Sequence, residues 1–139
     1  MTFLWILNAL ALAFGAALGA RALYDPKWAS RFVRLKPDEQ GGGFAEFRAT
    51  YGGVFLAAHL ASLLMTLMYL GGGEFVVGVA ATGGAAALGA GWAGSCGGRI
   101  LAMLLDGADT QFNRMSAAVE AALALAIAAP WLGWFFSAA

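Results

Sequence analysis

Four apolar runs, each longer than a bilayer crossing, constrain this chain more than any other feature of its sequence. They cover residues 3–23, 44–70, 75–105 and 116–136. A helix needs about 20 predominantly apolar residues to cross the hydrocarbon core of a membrane. The runs lack the alternation of strands, and backbone that faces lipid must satisfy its hydrogen bonds within its own segment. The sequence therefore predicts an all-α, four-transmembrane-helix bundle that forms a single integral membrane domain over residues 1–139.

The composition supports a membrane protein and argues against several soluble classes. Hydrophobic residues make up 61% of the 139 residues and charged residues 12%, with a mean hydropathy of +0.75. A water-soluble globule of this size could not bury so much apolar surface. The net charge is zero, so we expect no nucleic acid as a partner. Because Cys96 and His59 are the only residues of their types, we expect neither a disulfide nor a metal centre nor another cofactor.

The basic residues predict the orientation in the membrane. Six of them lie between Arg21 and Arg48, in or beside the first connection, and Arg99 and Arg114 flank the third. The second connection, residues 71–74, has none. Because cytoplasmic loops are enriched in Lys and Arg, we expect the first and third connections in the cytoplasm. Both termini are then expected in the periplasm, as in a multi-pass protein of the bacterial inner membrane.

The first connection is predicted to hold a short amphipathic helix, residues 26–36, that lies at the membrane interface. Asp25 and Pro26 form a typical helix start, with an N-cap residue followed by proline at the first position. One face of this helix is apolar and consists of Trp28, Phe32 and Leu35. The neighbouring face is basic and consists of Lys27, Arg31 and Arg34. We expect the basic face to contact anionic lipid headgroups; the alternative is a plain connecting loop.

Small residues predict close helix packing in the first and third crossings. The first crossing carries Gly15 and Gly19 four residues apart. In the third crossing the small residues repeat every four positions, at Gly78, Thr82, Ala86, Ala90, Gly94 and Gly98. Such stripes let helix backbones approach closely. We expect Gly15, Gly19, Ala90 and Gly94 to pack within the bundle, with the first crossing against the third; a homodimer face is the alternative.

Charged and polar residues in the cytoplasmic half of the crossings predict a cluster. Its members are expected to be Arg48, Tyr51, Arg99, Asp106 and Glu120, with His59 deeper in the membrane; Ser95 and Asn113 share the same helix faces. A charge at membrane depth is costly and is usually paired or faces a cavity. Either the arginines grip an anionic or carbonyl group while Glu120 orients it, or the charges form an ion-pair network that fixes helix register. At least one arginine is expected within hydrogen-bonding reach of Glu120.

Other motifs carry no chemistry on this reading. Residues 89–94 match G-x-G-x-x-G, but they lie inside a membrane-length helix without the preceding strand that a dinucleotide site needs. His59 is expected to be an interhelical hydrogen-bond partner, because no second ligand or carboxylate is obvious at its depth. We therefore expect no catalytic residues and no metal ligands.

Three short motifs resemble those of a known family. They are Arg48-Ala-Thr-Tyr51-Gly52-Gly53, Gly98-Arg99 followed by Asp106-Gly107, and Glu120 early in the last crossing. Over residues 14–132 the chain resembles a family of small bacterial four-helix membrane proteins that is known only as a domain of unknown function. It is more loosely similar to DoxX-like membrane proteins. The first resemblance implies a fold and a set of residues but no reaction; the second implies an accessory role near redox or quinone systems.

Together these patterns predict a non-enzymatic accessory or scaffold protein of the bacterial inner membrane. Its expected partners are membrane lipids and either a larger membrane complex or a second copy of itself. The alternative is a binding or enzymatic pocket for a lipid-like or quinone-like molecule, built on Arg48, Tyr51, Arg99 and Glu120 in the cytoplasmic half.

Overall fold

The chain is almost entirely helical. The structure is a computed structural model that describes residues 1–37, 40 and 42–138. Its elements, in chain order, are α1 (Thr2–Tyr24), α2 (Pro26–Val33), α3 (Gly42–Glu46), a π-helical segment (Phe47–Val54), α4 (Phe55–Leu70), α5 (Phe75–Leu105) and α6 (Gln111–Ala138). No strand occurs in this described part of the chain. The predicted all-α fold is therefore confirmed.

Four helical stretches are long and apolar enough to cross a membrane. They are Thr2–Tyr24, Gly42–Leu70, Phe75–Leu105 and Gln111–Ser137. Their order agrees with the four crossings of the predicted four-helix bundle, although the last helix begins at Gln111 rather than at 116. The chain is a multi-pass membrane protein.

Two compact units make up the chain. One consists of Met1–Ala11 and Met65–Ala139, and the other of Leu12–Leu64. The first contains all of α5 and α6, and the second contains α2, α3 and the π-helical segment.

In the unit Leu12–Leu64, glycines of α1 lie directly against the second crossing. A Cβ atom at Gly15 would overlap the His59 ring, and one at Gly19 would lie 2.5 Å from the Leu56 backbone nitrogen. A Cβ atom at Gly52 in the π-helical segment would lie 2.7 Å from the backbone of Leu23, near the end of α1. Gly15 and Gly19 therefore lie at close contacts with the second crossing. The predicted packing of the first crossing against the third stays a prediction.

Helix α2 begins as predicted and ends earlier. The Asp25 carboxylate accepts a hydrogen bond of 2.9 Å from the Trp28 N–H, and Pro26 occupies the first turn. The helix stops at Val33 because Arg34 adopts a left-handed backbone with φ of 61°. The N–H groups of Arg34 and Leu35 then donate to the Arg31 and Ser30 carbonyls, which is the Schellman pattern. The predicted end at residue 36 was therefore wrong, since this turn closes the helix before Pro37.

A small apolar core fixes the orientation of α2. Ala29 packs with Ala22 of α1 and Phe47 of the π-helical segment, and all three are buried. Trp28, Val33 and Phe44 cover this core at its edge. The face of α2 that carries Ala29 is thus turned toward the protein.

In the other unit, α5 and α6 pack along a seam of very small residues. Ala81, Ala85 and Gly89 of α5 are buried, and a Cβ atom at Gly89 would lie 2.7 Å from the Ala128 Cβ on α6. Because the residues along this seam have small side chains or none, the two helix backbones can approach closely.

The predicted packing of Ala90 and Gly94 within the bundle is wrong, whereas the alternative of a homodimer face stays a prediction. Both residues are exposed, and a Cβ atom at Gly94 would meet no described atom within 4 Å. Gly94 lies about 140° around the helix from Gly89, because each residue turns an α-helix by about 100°. The small residues of α5 therefore surround the helix, and the seam uses a different row from the one predicted.

Candidate functional site

A bidentate ion pair joins α5 to α6. The Arg99 guanidinium donates from Nε to Glu120 Oε2 at 3.0 Å and from Nη2 to Glu120 Oε1 at 2.6 Å. The Ser95 hydroxyl, one turn before Arg99, donates to the same Oε1 at 3.0 Å. Both carboxylate oxygens of Glu120 are thus satisfied by protein donors. The predicted arginine partner of Glu120 is present, and it is Arg99.

Asn113 extends this cluster to the connection between the two helices. Arg99 Nη1 donates to Asn113 Oδ1 at 3.2 Å, and Asn113 Nδ2 donates to the Ala108 carbonyl at 2.7 Å. The hydroxyl of Thr110 accepts a hydrogen bond from the Asn113 N–H and so caps the start of α6. Ser95 and Asn113 lie on the predicted helix faces, but the sequence did not assign them a role.

The Arg99–Glu120 pair is largely buried, so each charge requires the other as its partner. The Glu120 side chain is 9% exposed and the Arg99 side chain 30% exposed. A bidentate guanidinium–carboxylate contact supplies two charge-assisted hydrogen bonds and fixes the relative position of its carriers. A buried charge that loses its partner destabilises the fold strongly. These direct contacts favour the interpretation of the cluster as a network that fixes helix register.

Arg48 and Tyr51 lie in the unit Leu12–Leu64, on the π-helical segment. The Arg48 guanidinium donates to the Leu23 carbonyl. That carbonyl belongs to the last turn of α1, where the helix dipole favours a cation and the final carbonyls lack helical partners. Tyr51 is 40% exposed, and its ring centroid lies 5.3 Å from that of Phe47. Arg48 thus caps the end of α1, a role that sequence spacing alone could not reveal.

Asp106 lies at the edge of the predicted cluster. It is exposed and forms the C-cap of α5, where its N–H donates to the Ala102 carbonyl. The hydrogen bonds of Arg99 go to Glu120 and Asn113 instead. Gly107 follows with φ of 65° and turns the chain out of the helix.

His59 is a buried residue of the unit Leu12–Leu64. It is 1% exposed, and its Nδ1 lies 2.7 Å from the Phe55 carbonyl, one turn earlier in α4. Its ring packs against Phe55 with centroids 4.3 Å apart and covers Gly15 of α1. These contacts give His59 a packing role between two helices. Within the described ranges, no three His, Cys, Asp or Glu residues are grouped so that they could hold a metal ion.

A second buried polar cluster links three helices. Asn8 of α1 donates from Nδ2 to the Ile127 carbonyl of α6 at 2.5 Å and accepts from the Thr66 hydroxyl of α4 at 2.8 Å. Asn8 and Thr66 are completely buried. Side chains that bond across helices in this way stabilise membrane bundles.

The basic residues of α2 are exposed. Lys27 and Arg31 lie one turn apart on the helix, and Arg34 follows in the left-handed turn. Arg21, at the end of α1, lies with its guanidinium carbon 4.4 Å from the Trp28 ring centroid, a cation–π contact. The positive charge of this region therefore lies beside aromatic surface.

An apolar groove of about 610 Å³ runs along α5 and α6. Its lining residues are Gly, Ala, Leu and Trp, and Trp131 is the aromatic one among them. Arg99 and Glu120 are not among its lining residues. The groove is thus an apolar surface feature separate from the charged cluster.

Comparison of the chain with protein-family models, with curated proteins and with solved structures gave no match. The resemblance to the four-helix family and to DoxX-like proteins therefore stays a prediction based on the motifs around Arg48, Arg99 and Glu120.

Proposed function

We propose that this protein is a non-enzymatic accessory or scaffold protein of the bacterial inner membrane. It binds a larger membrane complex or a second copy of itself through α5. The observation that carries the proposal is a row of exposed small residues on that helix, here called the open glycine face. This face consists of Gly83, Ala87, Ala90, Gly91, Gly94, Gly97 and Gly98.

The open glycine face has room for side chains that the sequence does not supply. A Cβ atom at any of its five glycines would meet no atom of the described residues within 4 Å. Gly89, by contrast, is explained by its contact with Ala128 on α6. Each glycine in a helix interior costs about 1 kcal/mol relative to alanine. Contacts within the described part of the chain do not offset that cost at the five exposed positions, whereas close packing of another helix would.

The ends of the open glycine face are bulky. Val79 is 55% exposed before it, and Leu101 is 56% exposed after it. A partner helix seated between them would approach the α5 backbone closely, as helices do at small-xxx-small interfaces. The shape therefore suits a transmembrane helix of another subunit.

Two leucine substitutions test the proposal. Gly94→Leu should leave the fold intact, because its side chain enters open space, but should disrupt assembly. Gly89→Leu should lower the free energy of unfolding, because overpacking the α5–α6 seam costs about 1–3 kcal/mol or more. Assembly is measured by native mass spectrometry and by copurification from the membrane, and stability by thermal unfolding in detergent.

The same measurements can overturn the proposal. If wild-type protein is a monomer without a copurifying partner, or if Gly94→Leu retains the wild-type assembly, the open glycine face contacts lipid only. If Gly94→Leu unfolds the protein, the face packs within the chain.

The orientation belongs to the same proposal. The connection between α1 and the second crossing and the connection between α5 and α6 hold or adjoin every basic residue. The positive-inside rule supports a cytoplasmic location for both and a periplasmic location for the two termini.

A pocket for a lipid-like or quinone-like molecule is the alternative function. The direct contacts of Glu120 with Arg99 and Ser95 give it less support than the accessory role. A retained ligand that depends on Glu120 would favour it.

A further inference from the structure

Helix α2 lies next to the membrane because it follows the first membrane span almost directly. The first candidate span ends at Tyr24 and α2 begins at Pro26, so only Asp25 separates them. One residue extends a chain by at most about 3.6 Å. The start of α2 is therefore within a few ångströms of the end of a membrane-spanning helix. The second candidate span begins at Gly42, so α2 connects two crossings.

The surface of α2 is divided into three sectors. The first is turned toward the protein and consists of Pro26, Ala29, Ser30 and Val33. The second is exposed and basic, with Lys27 and Arg31 one turn apart. The third is aromatic, with Trp28 and Phe32 stacked at a centroid distance of 4.9 Å. Because contacts with Ala22 and Phe47 fix the first sector, the other two are presented in a fixed direction.

Exposed apolar side chains and basic residues occur together in and beside α2. Tyr24 is 88% exposed, Phe32 51% and Leu35 52%. Between residues 21 and 36 the sequence has five basic residues and one acidic residue. The acidic one, Asp25, is used by its hydrogen bond to the Trp28 N–H. An aromatic sector beside a basic sector matches the boundary between acyl chains and headgroups.

We infer that the basic sector of α2, Lys27 and Arg31, recognises anionic phospholipid headgroups while Phe32 and Leu35 enter the acyl boundary. Positive charge selects the headgroup, because each Lys or Arg near an anionic surface contributes roughly a 5-fold preference. The inference does not depend on the partner of α5, since α2 and the open glycine face are different elements. It gives the protein a headgroup-selective contact in addition to its crossings.

The test compares retained lipids in nanodiscs that hold equal amounts of phosphatidylglycerol and phosphatidylcholine with the same acyl chains. The full chain is ejected from the nanodiscs in the mass spectrometer, and the lipids that stay bound to it are counted by native mass spectrometry. Wild type should retain phosphatidylglycerol in excess. Lys27→Gln combined with Arg31→Gln should reduce that excess roughly 25-fold, or to equality if it is smaller, since two cations are lost. Arg34 stays in place because its backbone closes the helix.

Two controls make the result specific. The charge-conserving pair Lys27→Arg and Arg31→Lys should keep the wild-type excess. Arg114→Gln, which removes an exposed cation in the first turn of α6, should keep it as well. The inference is overturned if wild type retains the two lipids equally. It is also overturned if the double glutamine variant keeps the excess, or if either control loses it as fully as that variant does.

Discussion

At the scale of single residues, two arginines of the membrane spans, Arg48 and Arg99, form specific contacts with other helices. Arg99 forms a two-pronged pair with Glu120, and Arg48 donates to the Leu23 carbonyl. The bidentate pair requires a fixed rotation and depth of both α5 and α6, because a guanidinium and a carboxylate meet in one plane. The seam between these helices is made of small residues that could pack in several registers. We therefore interpret the ion pair as the contact that selects one register.

Neutralising Glu120 should show whether its role is structural. Glu120→Gln should lower the free energy of unfolding by about 1–3 kcal/mol, less than for a fully buried pair because Arg99 is partly exposed. Adding Arg99→Gln should recover part of the loss, since the uncompensated cation is then removed. Unfolding in mixed detergent micelles measures both values. The exposed pair Arg114–Asp109 is the control, and its neutral variants should change stability by less than about 1 kcal/mol.

The opposite result would support a ligand. If Glu120→Gln unfolds like wild type and loses a copurifying molecule, the pair serves a pocket. If stability and bound molecules are both unchanged, Glu120 has neither role.

At the scale of elements, the sequence predicted the lengths of the helices better than their contacts. The crossings follow from apolar runs, so α1 and α5 lie where they were expected. The row of α5 that packs against α6 could not be predicted, because small residues lie all around this helix. In sequence, Ala81–Ala85–Gly89 has the same spacing and residue types as Ala86–Ala90–Gly94. The partner of Arg48 is a backbone carbonyl, which no residue type marks. The start of α6 at Gln111 depends on the Thr110 cap, which lies six positions before the apolar run predicted to begin at 116.

The π-helical segment Phe47–Val54 was also not expected from the sequence. A π-helix is defined by i→i+5 bonds and is rare, so an apolar run that fits a helix gives no reason to expect one. Single-turn π-bulges are frequent at functional sites, and this segment is longer. Here it holds Arg48 and Gly52 against the end of α1. The segment thus docks the second crossing onto the end of α1.

Neighbouring glycines in the π-helical segment provide a matched test of that docking. A Cβ atom at Gly52 would lie 2.7 Å from the backbone of Leu23, whereas one at Gly53 would be 3.5 Å from the Arg48 carbonyl, an ordinary contact. Gly52→Ala should therefore destabilise the protein by about 1–3 kcal/mol. Gly53→Ala should be neutral or stabilise by up to about 1 kcal/mol, since alanine favours helix. Equal unfolding free energies for the two variants would show that α1 does not dock at Gly52.

At the scale of the whole molecule, the distribution of aromatic and basic residues predicts the orientation of the chain in the membrane. In the unit that holds α5 and α6, the Trp5 and Tyr69 rings lie 4.7 Å apart, beside the connection between α4 and α5. That connection, residues 71–74, has no basic residue. Arg99 and Arg114 lie toward the opposite ends of α5 and α6, near their connection. Aromatic residues occur at both membrane interfaces, whereas basic residues are enriched on the cytoplasmic side, so the basic residues decide the orientation.

Cysteine labelling in intact cells tests this direction. In a Cys96→Ala background, Thr2→Cys and Ser137→Cys should react with an impermeant thiol reagent, because periplasmic termini are accessible from outside the inner membrane. Asp109→Cys, in the exposed connection between α5 and α6, should react only after the cells are lysed. The three sites together separate orientation from reactivity, since each cysteine is also labelled in detergent as a reference. Labelling of Asp109→Cys alone in intact cells would show the reverse orientation and would place Lys27 and Arg31 on the periplasmic face. Labelling of only one terminus would mean that the number of crossings is odd and that at least one of the four apolar helices does not span the membrane.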